Sequence, residues 1–236
     1  RALADELSDS VRYGVRVESV EKDESGTSWR LRTAQGDALS ADAVVVAVPA
    51  PHAHGLVREL DLELSDAIRE IPTAGLAVVA LGFKDGDMGG APDGFGFLVP
   101  RSSGLRMLGC LWDSSIFPGR APPGKVLLRV MVGGAHDPEA VKEKEERLVS
   151  QVRDELRLTM GIQAEPCARK VYRWPLGISQ YTVGHGSRLD RIHHRLGRLG
   201  NLWVAGSSFY GISMNACVEK AGPQADDILA SLSTAS

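Results

Sequence analysis

The sequence predicts an α/β chain, α+β overall, in which a domain of α/β character is interrupted by a block built on an antiparallel sheet with helices. Three observations lead there. Residues 42–49 form a near-continuous apolar run closed by Pro49, which suits a strand covered on both faces as in a parallel sheet. The middle of the chain places several strand-length apolar runs one after another with turn-rich connections. Near the end, the short apolar run 201–205 enters a small-residue turn that leads into a helical pattern. Composition shifts little along the chain, so topology sets the division: 1–60 and 179–236 form parts of one domain, and 61–178 is inserted between them.

Each element has its own local reason. Residues 2–7 have apolar side chains at helical spacing. The alternating runs 11–21 and 29–33 predict two strands, with Ser25, Gly26 and Thr27 in a hairpin turn between them. Residues 54–60 and 64–71 read as helices, the second broken by Pro72. Residues 76–83 are a strong strand, 84–92 a Gly/Asp-rich loop, and 95–100, 106–112 and 125–132 further strands. Residues 138–160 predict the longest helix, with Val141, Leu148, Val152, Leu156 and Met160 on one stripe. A strand at 168–174 follows. The stretch 173–185 is too irregular for a strand and too apolar for a solvated loop, so it reads as a buried crossing between domains. Residues 188–199 and 216–232 read as helices.

The bulk numbers exclude several functions. With 27 Lys and Arg against 30 Asp and Glu, the net charge of -3 gives no reason to expect nucleic acid. The scattered arginines read as an ordinary solvated surface. No apolar run approaches the ~18–20 residues that span a bilayer, and no secretory signal pattern is visible. Cys110, Cys167 and Cys217 form no CxxC pair and sit in apolar contexts, as small buried side chains in a reducing cytoplasm would. The chain starts abruptly at Arg1 inside a helical pattern, which reads as an internal start preceded by a missing N-terminal segment of the same protein.

Self-contained catalysis is not visible. His52 and His54 follow a strand end, and His193 and His194 lie in a polar helix, so neither pair makes a metal site. There is no GxSxG elbow and no Walker-type loop. Glu143, Glu145 and Glu146 belong to a charged helix face. No catalytic residue and no metal ligand is assigned.

Three segments are informative. In 93–100, glycines permit close backbone approach beside Phe95, Phe97 and Leu98, although spacing alone favours a hairpin edge with core aromatics. The second is the irregular run 173–185. In 201–217 a strand, a Gly-Ser turn and a helix N-terminus near Ser213 present unpaired N–H groups and a positive dipole end, which suits an anion or an electron-rich ring edge.

Taken together, "APDGFGFLVP", "RWPLGISQYTVGH" and "LWVAGSSFYGISMNACVEKAG" closely resemble the oxygen-dependent protoporphyrinogen oxidases. "YGVRVESV", "WRLRT", "ADAVVVAVPA", "RMLGCLWDSSIFPGRAP" and "LLRVMVGGA" extend the resemblance in register over nearly the whole chain. The resemblance implies a Rossmann-like FAD-binding domain of the amine oxidase type, interrupted by a substrate domain on an antiparallel sheet. It implies that Val17 meets the adenine side of FAD through its backbone, and that Ser207, Ile212, Ser213 and Met214 line the flavin. Phe95, Gly96, Leu98, Leu111 and Met131 would flank the tetrapyrrole. The chain departs from the family at Gly211-Ile212-Ser213, where Gly-Val-Gly or Gly-Val-Ala is common, and at Ala216, where Asp is common. The GxGxxG fingerprint and the arginine expected to hold a substrate propionate lie outside this sequence.

The implied function is oxidation of protoporphyrinogen IX to protoporphyrin IX with oxygen as acceptor, in the cytoplasm. Coproporphyrinogen III oxidation and another amine oxidase-like reaction are the enzymatic alternatives, and Phe209-Tyr210 is the one aromatic pair that would favour amine oxidation. An inactive fragment or interaction module is the non-enzymatic alternative. Homodimerisation and peripheral membrane contact stay open.

Overall fold

A computed structural model describes residues 2–7 and 10–234. In chain order the elements are α1 (Ala2–Leu7), β1 (Val17–Lys22), β2 (Trp29–Thr33), β3 (Ala38–Ala41), β4 (Val44–Val46), α2 (Ala50–Leu56), α3 (Leu62–Arg69) and β5 (Thr73–Lys84). They continue with β6 (Gly96–Leu98), β7 (Met107–Leu111), α4 (Asp113–Ile116), β8 (Lys125–Gly133), α5 (Glu145–Met160) and β9 (Ala168–Ser179). The chain ends with α6 (His185–Leu199), β10 (Leu202–Val204) and α7 (Met214–Thr234). Two compact units result: Arg1–Pro72 with Ser179–Ser236, and Thr73–Ile178.

In the first unit, β1, β2 and β3 form an antiparallel sheet, and β4 pairs in parallel with β10, Val44 opposite Leu202 and Val46 opposite Val204. The paired stretch of the 42–49 run is only three residues long, because Pro49 starts α2 directly afterwards. Trp29, Val46, Ala53, Leu64, Ile68, Ile192, Val204 and Phe209 are among the side chains of one continuous core. Segment 61–72, expected with the inserted domain, packs here instead. Asp61 caps α3 by accepting the Leu64 N–H at 2.9 Å, and its other oxygen accepts from Arg195 on α6 at 2.6 and 2.8 Å. Leu64, Ala67 and Ile68 complete the same core.

The second unit is a five-stranded sheet in the order β6-β7-β8-β5-β9. β5 and β8 pair antiparallel over nine positions, from Leu76 opposite Gly133 to Lys84 opposite Lys125. Strict alternation sends Ala77, Val79, Leu81 and Phe83, with Val126, Leu128, Val130 and Val132, to one face. Leu148, Val149, Val152 and Leu156 of α5 are buried in the same cluster as these side chains, at the i, i+4, i+8 spacing of a helix stripe. The opposite face is left open.

One buried carboxylate ties α5 to the sheet. Glu155, 6% exposed, accepts the backbone N–H of Met107 at 2.8 Å and of Arg106 at 3.0 Å where a bulge interrupts the β7–β8 register. The Arg106 guanidinium is held protonated beyond its ordinary range, mainly by its hydrogen bonds to Asp137 and Glu143, against the cost of burial.

Several expectations need correction. α5 starts at Glu145 rather than 138, because Glu143 and Lys144 adopt extended backbone; Val141 sits in a separate 3-10 turn, Ala140–Lys142. Among the described residues α7, at 21 residues, is longer than α5 at 16. The helix expected at 54–60 begins earlier, at Ala50, so His52 is helical as well; Pro51 is tolerated because it occupies the first turn. The supposed buried crossing is a strand for half its length, β9 running on to Ser179, and its Trp174, Leu176 and Ile178 are exposed. Pro175 is compatible with this because β9 is an edge strand. Of the three thiols only Cys110 is buried, its pKa pushed up to about 12 by burial, whereas Cys167 is exposed and Cys217 is intermediate.

Replacing Glu155 by Leu leaves two buried backbone N–H groups unpaired. At about 1–3 kcal/mol per orphaned group, the expected loss is about 2–6 kcal/mol, read as a lower urea midpoint for the second unit with its m-value unchanged.

Candidate functional site

Two surfaces carry the residues singled out by sequence, one on each unit. On the second unit, the strand register gathers most of the expected substrate residues on the open sheet face. Gly96 stands opposite Leu111, Leu111 opposite Arg129, and Arg129 opposite Ala80. In the adjacent row Leu98 faces Gly109, Gly109 faces Met131, and Met131 faces Val78. Gly96, Leu98, Leu111 and Met131 therefore share one face across three strands. Phe95 precedes β6, is 75% exposed, and accepts the Trp112 N–H through its carbonyl. Phe97 takes the other face and packs on the core.

The glycines on this face are required by the backbone itself. A Cβ on Gly96, whose φ is +128°, would lie 2.0 Å from the Cys110 carbonyl oxygen, and one on Gly109 would lie 2.5 Å from that of Phe97. The result is a shallow apolar platform bounded by Leu98, Leu111 and Met131, with little side-chain bulk between them. Beside it the open faces of β5, β8 and β9 line a cavity of about 740 Å³ that includes Val78, Ala80, Leu127, Arg129, Tyr172 and Trp174.

On the first unit, the turn between β10 and α7 is anchored from several directions. Gly206, at φ +93°, lets the chain leave β10 and accepts the N–H groups of Phe209 and Tyr210. Ser208, 1% exposed, accepts the Ala50 N–H at 2.9 Å and shares a 2.7 Å hydrogen bond with Ser179. The Tyr181 hydroxyl donates to the Ser207 carbonyl at 2.8 Å and accepts the Gly211 N–H at 2.7 Å, so one side chain closes the loop across four residues. His185 stacks on the Tyr181 ring with centroids 3.9 Å apart.

This anchoring decides what the turn presents. Ser208 and Phe209 point inward, while Ile212 and Met214 are 56% and 84% exposed and Ser213 is also exposed. Ser207 is half-buried. Ser213 caps α7 by accepting the Ala216 N–H at 3.1 Å, which satisfies one of the free donors expected at that helix end. Gly211 has φ +103°, and a Cβ there would lie 2.6 Å from the Ala216 Cβ, so residue 216 limits the turn's geometry. Val17 lies elsewhere in the unit, half-buried on the edge strand β1 opposite Thr33.

The aromatic pair fails as a ligand cage. Phe209 is 1% exposed in the core, and Tyr210 is hydrogen-bonded to His193 Nε2 at 2.6 Å, its pKa raised by burial.

A family model described as flavin containing amine oxidoreductase matches residues 1–229. The chain belongs to the flavin-containing amine oxidoreductase family. The coproporphyrinogen III oxidase of Bacillus subtilis is 31% identical over 206 residues, covering 87% of this chain and 43% of that protein. The chloroplastic protoporphyrinogen oxidase of Oryza sativa is 31% identical over 239 residues, covering 96% of this chain and 45% of that protein. The chain thus spans less than half the length of these relatives. Among solved structures, a provisionally named protoporphyrinogen oxidase of Exiguobacterium sp. 255-15 superposes with a TM-score of 0.79 at 23% identity, over 96% of this chain and 50% of that one. A putrescine oxidase variant superposes at 0.71 with 16% identity, over 97% of this chain and 51% of that one. These two establish the fold shared with flavin-dependent amine oxidases.

Sequence reasoning missed Tyr181, Ser208 and Arg129. Tyr181 had no signal, since its partners are backbone atoms distant in sequence. Arg129 did: a lone cation in the apolar run 126–132 falls on the same strand face as Leu127 and Met131, and it is paired with the nearly buried Asp113 at 2.9 Å. It is not part of a plain solvated surface.

Tyr181→Phe removes both hydrogen bonds that close the turn. At about 0.5–1.5 kcal/mol per bond, it should cost about 1–3 kcal/mol locally. The check is hydrogen exchange at the Gly211 amide, which should accelerate while β5 and β8 amides keep their protection.

Proposed function

We propose that this chain forms part of an FAD-dependent oxidase of porphyrinogens, with oxygen as the final acceptor. Membership of a flavin-containing family and relatives named as protoporphyrinogen and coproporphyrinogen III oxidases support the reading. The observation that carries it is the open sheet face, where Gly96, Leu98, Gly109, Leu111 and Met131 make a flat apolar platform of the kind a large ring substrate needs.

The turn 206–214 fits a flavin in its chemistry. It offers apolar contact through Ile212 and Met214, a half-buried hydroxyl at Ser207 and the capped N-terminus of α7, and it is held rigid from behind by Ser208 and Tyr181. Val17 would meet the adenine side through its backbone. FAD, when bound, accepts the hydrogen equivalents taken from the macrocycle. The chain's own residues bind and orient: Leu98, Leu111, Met131 and the exposed Phe95 hold the reduced tetrapyrrole and exclude water, and the anchored turn keeps its register. No side chain on either surface is required as a general base. Each cycle removes a hydrogen pair from the porphyrinogen and passes it to oxygen as hydrogen peroxide, until the ring is aromatic.

Protoporphyrinogen IX and coproporphyrinogen III are both candidate substrates, the names carried by two relatives of equal identity. Amine oxidation is disfavoured by the burial of Phe209 in the core and the engagement of the Tyr210 hydroxyl with His193. Three free thiols support a reducing, cytoplasmic setting. No helix among the described residues is long and apolar enough to cross a membrane.

The test uses the FAD-loaded protein carrying this chain. Anaerobic mixing with either porphyrinogen should bleach the flavin absorbance, and readmitted air should give porphyrin fluorescence and hydrogen peroxide in proportion. Flavin reduced by putrescine and by neither porphyrinogen would contradict the proposal.

A further inference from the structure

We propose that His185 is a positioning residue for the turn 206–214, a role that rests on the flavin part of the reading above. The flat face of its imidazole sets the ring of Tyr181, and that ring sets the register of the residues offered to the flavin.

Local chain geometry brings the two rings together. The Thr182 N–H donates to the Gln180 carbonyl at 2.9 Å, and the His185 N–H donates to the Thr182 carbonyl at 3.0 Å. Gly184, at φ +87°, turns the chain before His185 and stands as the N-cap of α6. Arg188 donates to the Thr182 hydroxyl at 3.2 Å and ties the same loop to α6. Tyr181 and His185 then lie face to face, with ring centroids 3.9 Å apart and planes 13° from parallel.

Hydrogen bonding is not what the imidazole contributes. His185 is only 9% exposed, yet neither of its ring nitrogens has a hydrogen-bond partner among the described residues. Two polar ring atoms left buried and unpaired oppose folding. The start of a helix does not call for an aromatic residue either. What remains is the planar face against Tyr181, and local rules are broken in this way chiefly where a site's geometry outweighs the cost.

Tyr181 needs such a support. It is 38% exposed, so core packing alone does not fix its ring. Its hydroxyl must meet two backbone groups at once, the Ser207 carbonyl at 2.8 Å and the Gly211 N–H at 2.7 Å. Hydrogen bonds weaken steeply as their angles degrade, so a small swing of the ring costs both. His185 blocks that swing on one face. The consequence falls on Ser207, Ile212, Ser213 and Met214, which the same two bonds bracket or adjoin, and misplacement of such groups is expensive for a bound reactant.

Two apolar replacements separate the ring face from the nitrogens. His185→Phe and His185→Leu both remove the unpaired atoms, and only the first keeps a flat face. Release of FAD from the loaded protein on dilution is followed by flavin fluorescence, and hydrogen exchange is read at the Gly211 amide. A stacked aromatic pair shifts an equilibrium by about 3- to 10-fold. His185→Leu should therefore speed FAD release and Gly211 exchange by about that factor, while the amides of β1 and β2 keep their protection. His185→Phe should hold both quantities within about 2-fold of the parent. A Phe variant that loses FAD as fast as the Leu variant would assign the contribution to the nitrogens, and a Leu variant with parental values would show that the stack positions nothing. Lost protection in β1 and β2 of the Leu variant would make His185 a general fold residue. Each of these three results overturns the role. A parent that carries no FAD overturns the flavin reading instead, and exchange at Gly211 then still decides whether the stack holds the turn.

Discussion

The β5–β8 ladder is the constraint on which the second unit depends. Nine consecutive pairs fix the register, and a side-chain period of two then commits every residue of both strands to one face. Ala77, Val79, Leu81 and Phe83 fall in the cluster that α5 completes, so Val78, Ala80, Leu127, Arg129 and Met131 have nowhere to go but the open face. A slip of one residue would exchange the two sets, placing Arg129 under α5 and the core valines in water. The stability of the unit and the chemistry of its exposed surface are thus two consequences of one pairing.

The close approach of β6, β7 and β8 extends this logic. Gly96 and Gly109 stand where neighbouring backbone leaves no room for a side chain, and the same positions form the flattest part of the platform. A residue type demanded by packing also produces a smooth surface for a ring. The first unit works differently. Its turn is not part of a sheet but is held by Ser208 to the start of α2 and by Tyr181 across its own mouth. Core anchoring of Phe209 fixes which side of the turn faces outward, so Ile212, Ser213 and Met214 are exposed because their neighbours are not.

How much of this was legible in the sequence differs between elements. The strands at 17–22, 29–33, 73–84 and 125–133 announce themselves through alternation or long apolar runs, because their faces meet different environments. The start of α5 was not legible: the apolar stripe continues back to Val141, and only the extended backbone at Glu143 and Lys144 breaks it. β9 was misread because Tyr172, Trp174, Leu176 and Ile178 look like core residues, yet they stand exposed on an edge strand. The segment 61–72 was misassigned because the Asp61–Arg195 pair that holds it spans 134 positions, a separation no local pattern reports. Of the expected site residues, Gly96, Leu98, Leu111 and Met131 come from the resemblance alone, and their common face emerges only once the register is known. Arg129 was visible as a charge in an apolar strand but was read as ordinary surface.

What occupies the open sheet face decides the function of the second unit. The most direct measurement is a crystal structure of the FAD-loaded protein with coproporphyrin III bound. The macrocycle should lie across Leu98, Leu111 and Met131. A porphyrin bound elsewhere, with that face bare, would contradict it.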